Sequence, residues 1–198
     1  MKKTVLMLMV SLFLFSSNAF AVKFGAFLDV SGGSGEAEWE SDWNAWDIDA
    51  RTAAVGFVFD TVAADNRVFN YRMNIGIANQ VLEDDYGAEL DTTGFYVENI
   101  FGFALIKKAD FCWWVGPLVR VGFYSGESEN SLSDIDIDYF ELGIGAVTGL
   151  NLDVGRSILS PSVGFRVSGL AGEGCEAGWC EDFEASTVTA FANIALLF

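Results

Sequence analysis

The stretch FNYRMNIGIANQ, residues 69–80, decides the fold, because apolar side chains alternate along it with polar or very small ones. Successive residues of a β-strand point to opposite faces, so the alternation predicts a strand with one apolar and one polar face. The apolar face consists of Phe69, Tyr71, Met73, Ile75 and Ile77. The same period of two recurs in FCWWVGPLVRVGFY (111–124), FELGIGAVTGL (140–150) and LSPSVGFRVS (159–168).

Eight segments of this kind follow one another, and the connectors between them alternate in length. The predicted strands are 22–31, 51–60, 68–81, 93–106, 111–125, 137–151, 158–170 and 187–198. Short connectors lie near 61–67, 107–110 and 152–157, and long ones near 32–50, 82–92, 126–136 and 171–186. This pattern is typical of outer-membrane barrels. The sequence therefore predicts an all-β fold: an eight-stranded antiparallel up-and-down transmembrane β-barrel with short periplasmic turns and long extracellular loops.

A secreted β-sandwich is the alternative, since its strands alternate too, but its outward face is polar and charged. Here the apolar faces carry more Phe, Trp and Leu than a small core needs. The opposite faces hold too many glycines and serines for a solubilising surface. The chain is 52% hydrophobic, yet beyond residue 21 it has no apolar run long enough for a spanning helix. These features favour the barrel.

The last predicted strand ends in FANIALLF, with Ile194, Leu196 and Phe198 on its apolar face. Because a bilayer leaves no backbone group unpaired, this strand is expected to close onto the first. The ending resembles the C-terminal signal of bacterial outer-membrane proteins, which the barrel assembly machinery reads in that family. In architecture the chain resembles the small barrels related to outer membrane proteins A and X. The resemblance implies a monomer integral to the outer membrane, in contact with lipid and lipopolysaccharide.

The first segment, MKKTVLMLMVSLFLFSSNAFA (1–21), has the features of a secretory signal peptide. Lys2 and Lys3 precede an apolar run, and Ala19-Phe20-Ala21 matches a cleavage site. The run is too short for a transmembrane helix. We therefore expect a cleaved signal peptide at 1–21 and a single outer-membrane barrel domain at 22–198.

Charged residues fall on the predicted inward faces, at similar heights on neighbouring strands. They are Glu98, Arg120, Glu141 and Arg166, with Arg72 as a further member. A buried charge is costly unless paired, so an interior Glu–Arg network is expected. This network is interpreted as a polar plug, with a proton or ion path as the alternative. The glycines of GIGAVTG lie within one strand and are expected to make room for these long side chains.

The composition excludes several classes of function. The chain has no histidine, so a Ser–His triad and a His-ligated metal are impossible, and we predict no enzyme activity. The net charge of −17 excludes a nucleic-acid partner, whose phosphates require basic protein surfaces. No cofactor is expected.

Three cysteines and two adjacent tryptophans carry structural predictions. Cys175 and Cys180 lie in the last long loop, and in an oxidising compartment they predict a local disulfide. Cys112 is left over and is expected to be a packed, inert thiol. Trp113 and Trp114 suit the aromatic girdle that borders the apolar band of such barrels.

The long connectors are strongly acidic, holding twenty of the 28 acidic residues and no lysine or arginine. Weak binding of Ca²⁺ or Mg²⁺ is one interpretation, since these ions take several oxygen ligands. Asp134, Asp136 and Asp138 are the candidate ligands, although the stretch lacks the glycine and closing glutamate of an EF-hand loop. The alternatives are a merely solvated acidic rim and a docking surface for a basic partner.

The function expected from the sequence is a structural or surface-interaction role in the outer membrane. The alternative is a small passive transporter of apolar or small molecules. An apolar conduit requires apolar inward side chains, whereas the predicted inward set is Arg, Glu, Asn, Ser and Gly. The sequence names no biological ligand.

Overall fold

Eight antiparallel strands make up almost all of the described chain. The computed structural model describes residues 22–39, 45–61, 68–85, 87–130, 133–176 and 179–198, without the side chains of 39, 128–130, 133, 134 and 176. The strands are β1 (Lys23–Trp39), β2 (Trp46–Asp60), β3 (Phe69–Asp84), β4 (Glu89–Lys108), β5 (Phe111–Asn130), β6 (Ser133–Asp153), β7 (Ile158–Glu176) and β8 (Trp179–Leu197). No helix in these ranges has the length and hydropathy to span a bilayer. The predicted signal peptide lies outside the described residues.

The sheet closes on itself, which confirms the predicted fold class. Each strand pairs with the next, and β8 pairs with β1. The closing seam runs from Gly25 opposite Leu197 to Trp39 opposite Phe183. Beyond it the Phe198 amide donates a hydrogen bond to the Phe24 carbonyl at 2.9 Å. The two ends of the barrel are named here the turn end, where β1 begins and β8 ends, and the loop end opposite.

An apolar band surrounds the outside of the barrel, on the faces that the period of two predicted. Phe57, Ile77 and Phe165 are 69%, 62% and 56% exposed. On β8 the outward apolar face runs from Val188 to Phe198. Those residues span about 25 Å along the axis if the strand is tilted by roughly 40°. This is the height of the lipid-facing band in transmembrane barrels.

The strands continue much further towards the loop end than the sequence predicts. The segments expected to be long loops are mostly strand, and the connectors there are reduced to 40–45, 85–88, 131–132 and 177–178. The period of two persists in these segments, but the apolar positions change face. On β6, Ile137 and Tyr139 point inward and are buried, whereas Phe140 and Leu142 point outward and are exposed. The barrel therefore extends beyond its apolar band as a wall with a polar outside and an apolar inside.

The turn end has the short connectors that the sequence predicts. Ala109 and Asp110 join β4 to β5, and residues 154–157 join β6 to β7. The second turn is closed by a hydrogen bond from the Val154 amide to the Ser157 carbonyl at 2.9 Å. Gly155 within it has a φ of 93°, which glycine adopts without steric cost. The connector at 62–67 lies outside the described residues.

The two adjacent tryptophans lie on opposite faces, so the prediction that both join an outer aromatic girdle is wrong. Trp113 points outward, is 39% exposed and donates from Nε1 to Thr148 Oγ1 at 2.8 Å. Trp114 is 1% exposed inside the barrel and donates from Nε1 to Asn151 Oδ1 at 3.1 Å. Neighbouring residues of one strand cannot share a face, which is why only one of them reaches the lipid.

The predicted disulfide between Cys175 and Cys180 is confirmed. The two cysteines lie directly opposite each other on β7 and β8, with Cα atoms 4.1 Å apart. The bridge therefore joins the last two strands next to the connector at 177–178. Cys112 is free and partly buried, at the turn end of β5.

An inward glycine makes room for Trp114. A Cβ atom built on Gly149 would lie 2.5 Å from Trp114 Cζ2 and 2.8 Å from Ser162 Cβ. Gly143 has the role expected of the GIGAVTG glycines, since a Cβ there would lie 2.7 Å from Arg166 Cδ. Real Cβ atoms do not approach other atoms so closely, so both positions exclude larger residues.

We expect Gly149→Ala to lower the free energy of unfolding by about 1–3 kcal/mol, the usual cost of overpacking a buried site. Gly169→Ala is the matched control, because a Cβ there would meet nothing within 4 Å. Urea titration of the folded protein in detergent, followed by circular dichroism, measures both. Equal midpoints for the two variants would contradict the packing described for Trp114.

Candidate functional site

Four charged side chains form a network at the middle of the barrel interior. Arg120 Nε lies 3.1 Å from Glu141 Oε2. Arg166 lies 3.5 Å from both Glu98 Oε2 and Glu141 Oε1. Each of the four residues is at most 3% exposed. They come from β4, β5, β6 and β7, so alternating charges on neighbouring strands meet across the lumen.

Neutral polar groups complete the network. Arg120 Nη2 donates to Tyr124 Oη at 2.6 Å, and Tyr124 Oη donates to Glu141 Oε2 at 3.0 Å. Ser168 Oγ donates to Glu141 Oε1 at 2.8 Å. The Arg120 guanidinium also lies 3.6 Å from the centre of the Tyr96 ring, within cation–π range. These contacts stabilise charges that would otherwise be costly to bury.

Arg72 belongs to a separate cluster nearer the turn end. It pairs with Asp60 at 2.6 Å and donates from Nη2 to Ser160 Oγ at 2.7 Å. The same Nη2 lies 3.3 Å from Asn151 Oδ1. Its guanidinium sits 4.8 Å from the centre of the Trp114 ring. Arg72 therefore lies inside as the sequence predicts, and its partner Asp60 is not among the predicted members of the network.

The prediction from sequence omitted several interior residues. They lie inside because of their position along the strand, and their residue types do not indicate it. Asp60 is the last residue of β2 and lies in phase with buried Val58. Asp29 on β1 is 4% exposed, although its neighbours Leu28 and Val30 are exposed on the outer face. Tyr124 alternates with outward Phe123 in the same way. Counting positions in steps of two from a known inward residue would have found all three.

A layer of tyrosines separates the charge network from the loop end. Tyr124 and Tyr139 stack with ring centres 5.1 Å apart and planes 14° apart. Tyr139 Oη donates to Gln80 Oε1 at 3.0 Å and lies 2.7 Å from Thr92 Oγ1. Both tyrosines are buried. This layer crosses the lumen and forms the floor of the space above it.

An apolar cup of about 150 Å³ opens above this floor at the loop end. Its wall consists of Ala37, Trp46, Ile48, Leu82, Leu90, Ile135, Ile137 and Phe183, with Asp84, Ala88 and Glu89 also lining it. Apart from Ile137, these residues lie in segments that the sequence predicts as loops, and the predicted inward set of the strands is polar. The structure corrects this, because the inward positions above the apolar band are apolar as in a soluble barrel.

An acidic belt surrounds the outside of the barrel at the loop end. For every pair of neighbouring strands, two carboxylates lie directly opposite each other and face outward. The pairs are Glu36 and Asp47, Asp49 and Glu83, Glu83 and Glu89, Asp91 and Glu127, Glu127 and Asp136, Asp138 and Glu173, Glu173 and Asp182, and Glu38 and Glu184. Directly opposed like charges destabilise a sheet. An ion pair of Arg51 with Glu83 at 3.1 Å adds one cation to the belt.

Two of the three candidate metal ligands, Asp136 and Asp138, lie in this belt. Asp136 and Asp138 are exposed on the outer face of β6, and the side chain of Asp134 is outside the described part. Among the described residues, no three Cys, Asp or Glu side chains are grouped closely enough to hold a metal.

The comparison with solved structures supports the fold. The chain superimposes on the outer membrane protein OprG from Pseudomonas aeruginosa with a TM-score of 0.61, covering 89% of this chain and 95% of that one at 9% identity. Neisserial surface protein A (TM-score 0.38, 9% identity, 85% and 96% covered) and Ail from Yersinia pestis (0.37, 10%, 87% and 99%) superimpose too loosely to carry a conclusion. No family model and no curated protein sequence matches the chain. The likeness to OprG confirms the barrel fold of outer-membrane proteins.

We expect Arg120→Met to lower the free energy of unfolding by about 3–5 kcal/mol, because it leaves Glu141 buried with one cation fewer. Adding Glu141→Gln should restore part of this loss, since the uncompensated charge is then removed. Arg51→Met is the control: its side chain is 66% exposed, and loss of its pair with Glu83 should cost less than about 1 kcal/mol. Urea titration in detergent measures all three. An Arg120→Met variant as stable as the control would show that the network contributes nothing.

Proposed function

We propose that this chain is an integral outer-membrane protein with a structural or surface-interaction role. Its fold is that of outer-membrane barrels, and its apolar band faces outward as a lipid-exposed surface does. The predicted signal peptide at 1–21 supports export, and outward-facing Ile194, Leu196 and Phe198 fit the expected assembly signal. Because the sequence lacks histidine, a non-catalytic role is favoured.

The interior is proposed to be a plug rather than a path. Two layers cross the lumen within the height of the apolar band: the Arg72–Trp114 cluster near the turn end and the Arg120–Glu141 network above it. The side chains that make the contacts of both layers are at most 7% exposed. Eight strands enclose a space that side chains can fill, unlike the lumen of a wide porin. The tight contacts of these layers support the same conclusion.

The acidic belt is the single observation that carries the surface role. It lies just beyond the apolar band on the loop side, at the level where a bilayer meets water. Its opposed carboxylates repel one another, and divalent cations relieve such repulsion by binding oxygen ligands in flexible geometry. We propose that Ca²⁺ or Mg²⁺ bridges these pairs to each other and to the phosphates of lipopolysaccharide. The barrel would thus be fixed in the outer leaflet through shared cations.

A small passive transporter remains the second candidate, and the apolar cup favours it. Its walls suit a small apolar molecule entering from the loop end. The tyrosine layer below it and the charge network deeper in the lumen oppose passage through the barrel. A binding site at the loop end without passage is compatible with the plug.

For the surface role, we expect Mg²⁺ at about 1 mM and constant ionic strength to raise the thermal unfolding midpoint and lower protease sensitivity in lipopolysaccharide vesicles. A variant with Asp138→Asn, Glu173→Gln and Asp182→Asn, which neutralises two neighbouring pairs, should respond less. Asp110→Asn at the turn end is the control and should behave like the wild type. Fluorescence of Trp179, which is 84% exposed beside the belt, reports the same binding. Identical behaviour with and without Mg²⁺ would contradict cation bridging and show that the acidic belt is merely solvated.

For the plug, we expect the wild type to add no ionic conductance to a planar bilayer. Combining Trp114→Ala with Arg120→Ala, which shortens one side chain in each layer, should produce measurable single channels. Trp113→Ala is the matched control, because that ring faces outward. This variant should add no ionic conductance to the bilayer. Open channels in the wild type would instead support the transporter.

A further inference from the structure

The buried interior has one more carboxylate than guanidinium among the described residues. Its buried charged side chains are Arg72, Arg120 and Arg166 against Asp29, Asp60, Glu98 and Glu141. The ion pairs described above use all three arginines with Asp60, Glu98 and Glu141. Asp29 makes no ion pair in the described part of the chain. A buried, unpaired carboxylate is very costly, so this position requires a compensating positive charge.

Asp29 lies beside other oxygen atoms that lack a donor. Asn193 is its direct neighbour on β8, and its Nδ2 donates to Asp29 Oδ2 at 3.4 Å. Ser31 lies two residues along β1 and therefore on the same inward face. Asp29 Oδ1, Asn193 Oδ1 and Ser31 Oγ have no hydrogen-bond partner within the described residues. Ten buried side-chain atoms of the described residues lack a partner, and these three oxygens belong to an acid, its cross-strand neighbour and the next inward residue of its strand. Buried polar atoms are normally satisfied, so this group of oxygens around an unpaired carboxylate indicates a ligand.

We propose that Asp29, Asn193 and Ser31 bind one small monovalent cation, such as Na⁺, inside the barrel. Carboxylate, amide and hydroxyl oxygens are hard ligands of the kind that hard cations prefer. A single positive charge makes the described interior neutral, whereas a divalent ion would leave it with an excess. Glu98 from β4, Arg120 from β5 and Arg166 from β7 act electrostatically on Asp29 across the lumen. The two guanidiniums further disfavour a divalent ion.

A proton on Asp29 would balance the charge equally well, and it is the competing explanation. One proton supplies a single donor, whereas a cation contacts all three oxygens at once. The oxygen patch therefore favours the metal cation, and the two ligands have different dependences on salt and pH.

The test compares thermal unfolding of the folded full chain in detergent, in sodium chloride and in N-methylglucamine chloride of equal ionic strength, at mildly alkaline pH. We expect sodium to raise the midpoint by about 3–6 °C at about ten times its dissociation constant. Asp29→Asn should abolish the difference between the two salts, since the neutral amide removes the excess charge. Asn193→Ala keeps the carboxylate but loses one ligand, and should need several-fold more sodium. If Asp29→Asn does not fold, the sodium response of Asn193→Ala still tests the proposal.

Asp110→Asn, an exposed carboxylate at the turn end, should keep the full sodium response. Broadening of the ²³Na resonance by the wild type, but not by Asp29→Asn, provides a direct measurement. Equal midpoints of the wild type in the two salts would overturn the proposal. So would a sodium response that survives Asp29→Asn. If lower pH stabilises the wild type but not Asp29→Asn and sodium has no effect, the ligand is a proton and the cation site is excluded.

Discussion

The pairing of backbone hydrogen bonds across the seam between β1 and β8 is the constraint on which the rest of the structure depends. Within a bilayer no water is available to satisfy an open sheet edge, so the eight strands have to close. Because the barrel closes with eight strands, its lumen is narrow enough for side chains to fill. Closure also divides every strand into positions that face lipid and positions that face the inside. The apolar band and the charged interior are two consequences of that one division.

A narrow closed lumen makes each inward charge a buried charge. Arg120, Glu141, Arg166 and Glu98 meet because four neighbouring strands each carry one charge at the same height. Arg72 finds Asp60 in the same way nearer the turn end. Glycines at inward positions provide the space for these long side chains. The interior is therefore ordered in layers, and the apolar cup is formed only where the wall leaves the membrane.

The change of face by the apolar side chains marks where the surroundings change from lipid to water. Below this level the outside is apolar; above it the outside is acidic and the inside apolar, although the same strands continue unbroken. Opposed carboxylates on every pair of neighbouring strands repel one another, and water and dissolved salt screen charges exposed in this way. The same strands thus carry two kinds of outer surface, and the acidic belt lies next to the apolar band.

The sequence by itself determined the strand count, the closed barrel, the lipid-facing side chains and the inward position of Arg72, Arg120 and Glu141. Each of these follows from a period of two and from the bilayer's demand for paired backbone, which are local and general rules. The sequence did not determine where the strands end, because an acidic segment with an alternating pattern fits a loop as well as a strand. Only the tertiary structure determines which charges pair. It also shows that Asp29 forms no ion pair with an arginine among the described residues. Those outcomes depend on strand register and on side chains far apart in the chain, and no local pattern encodes them.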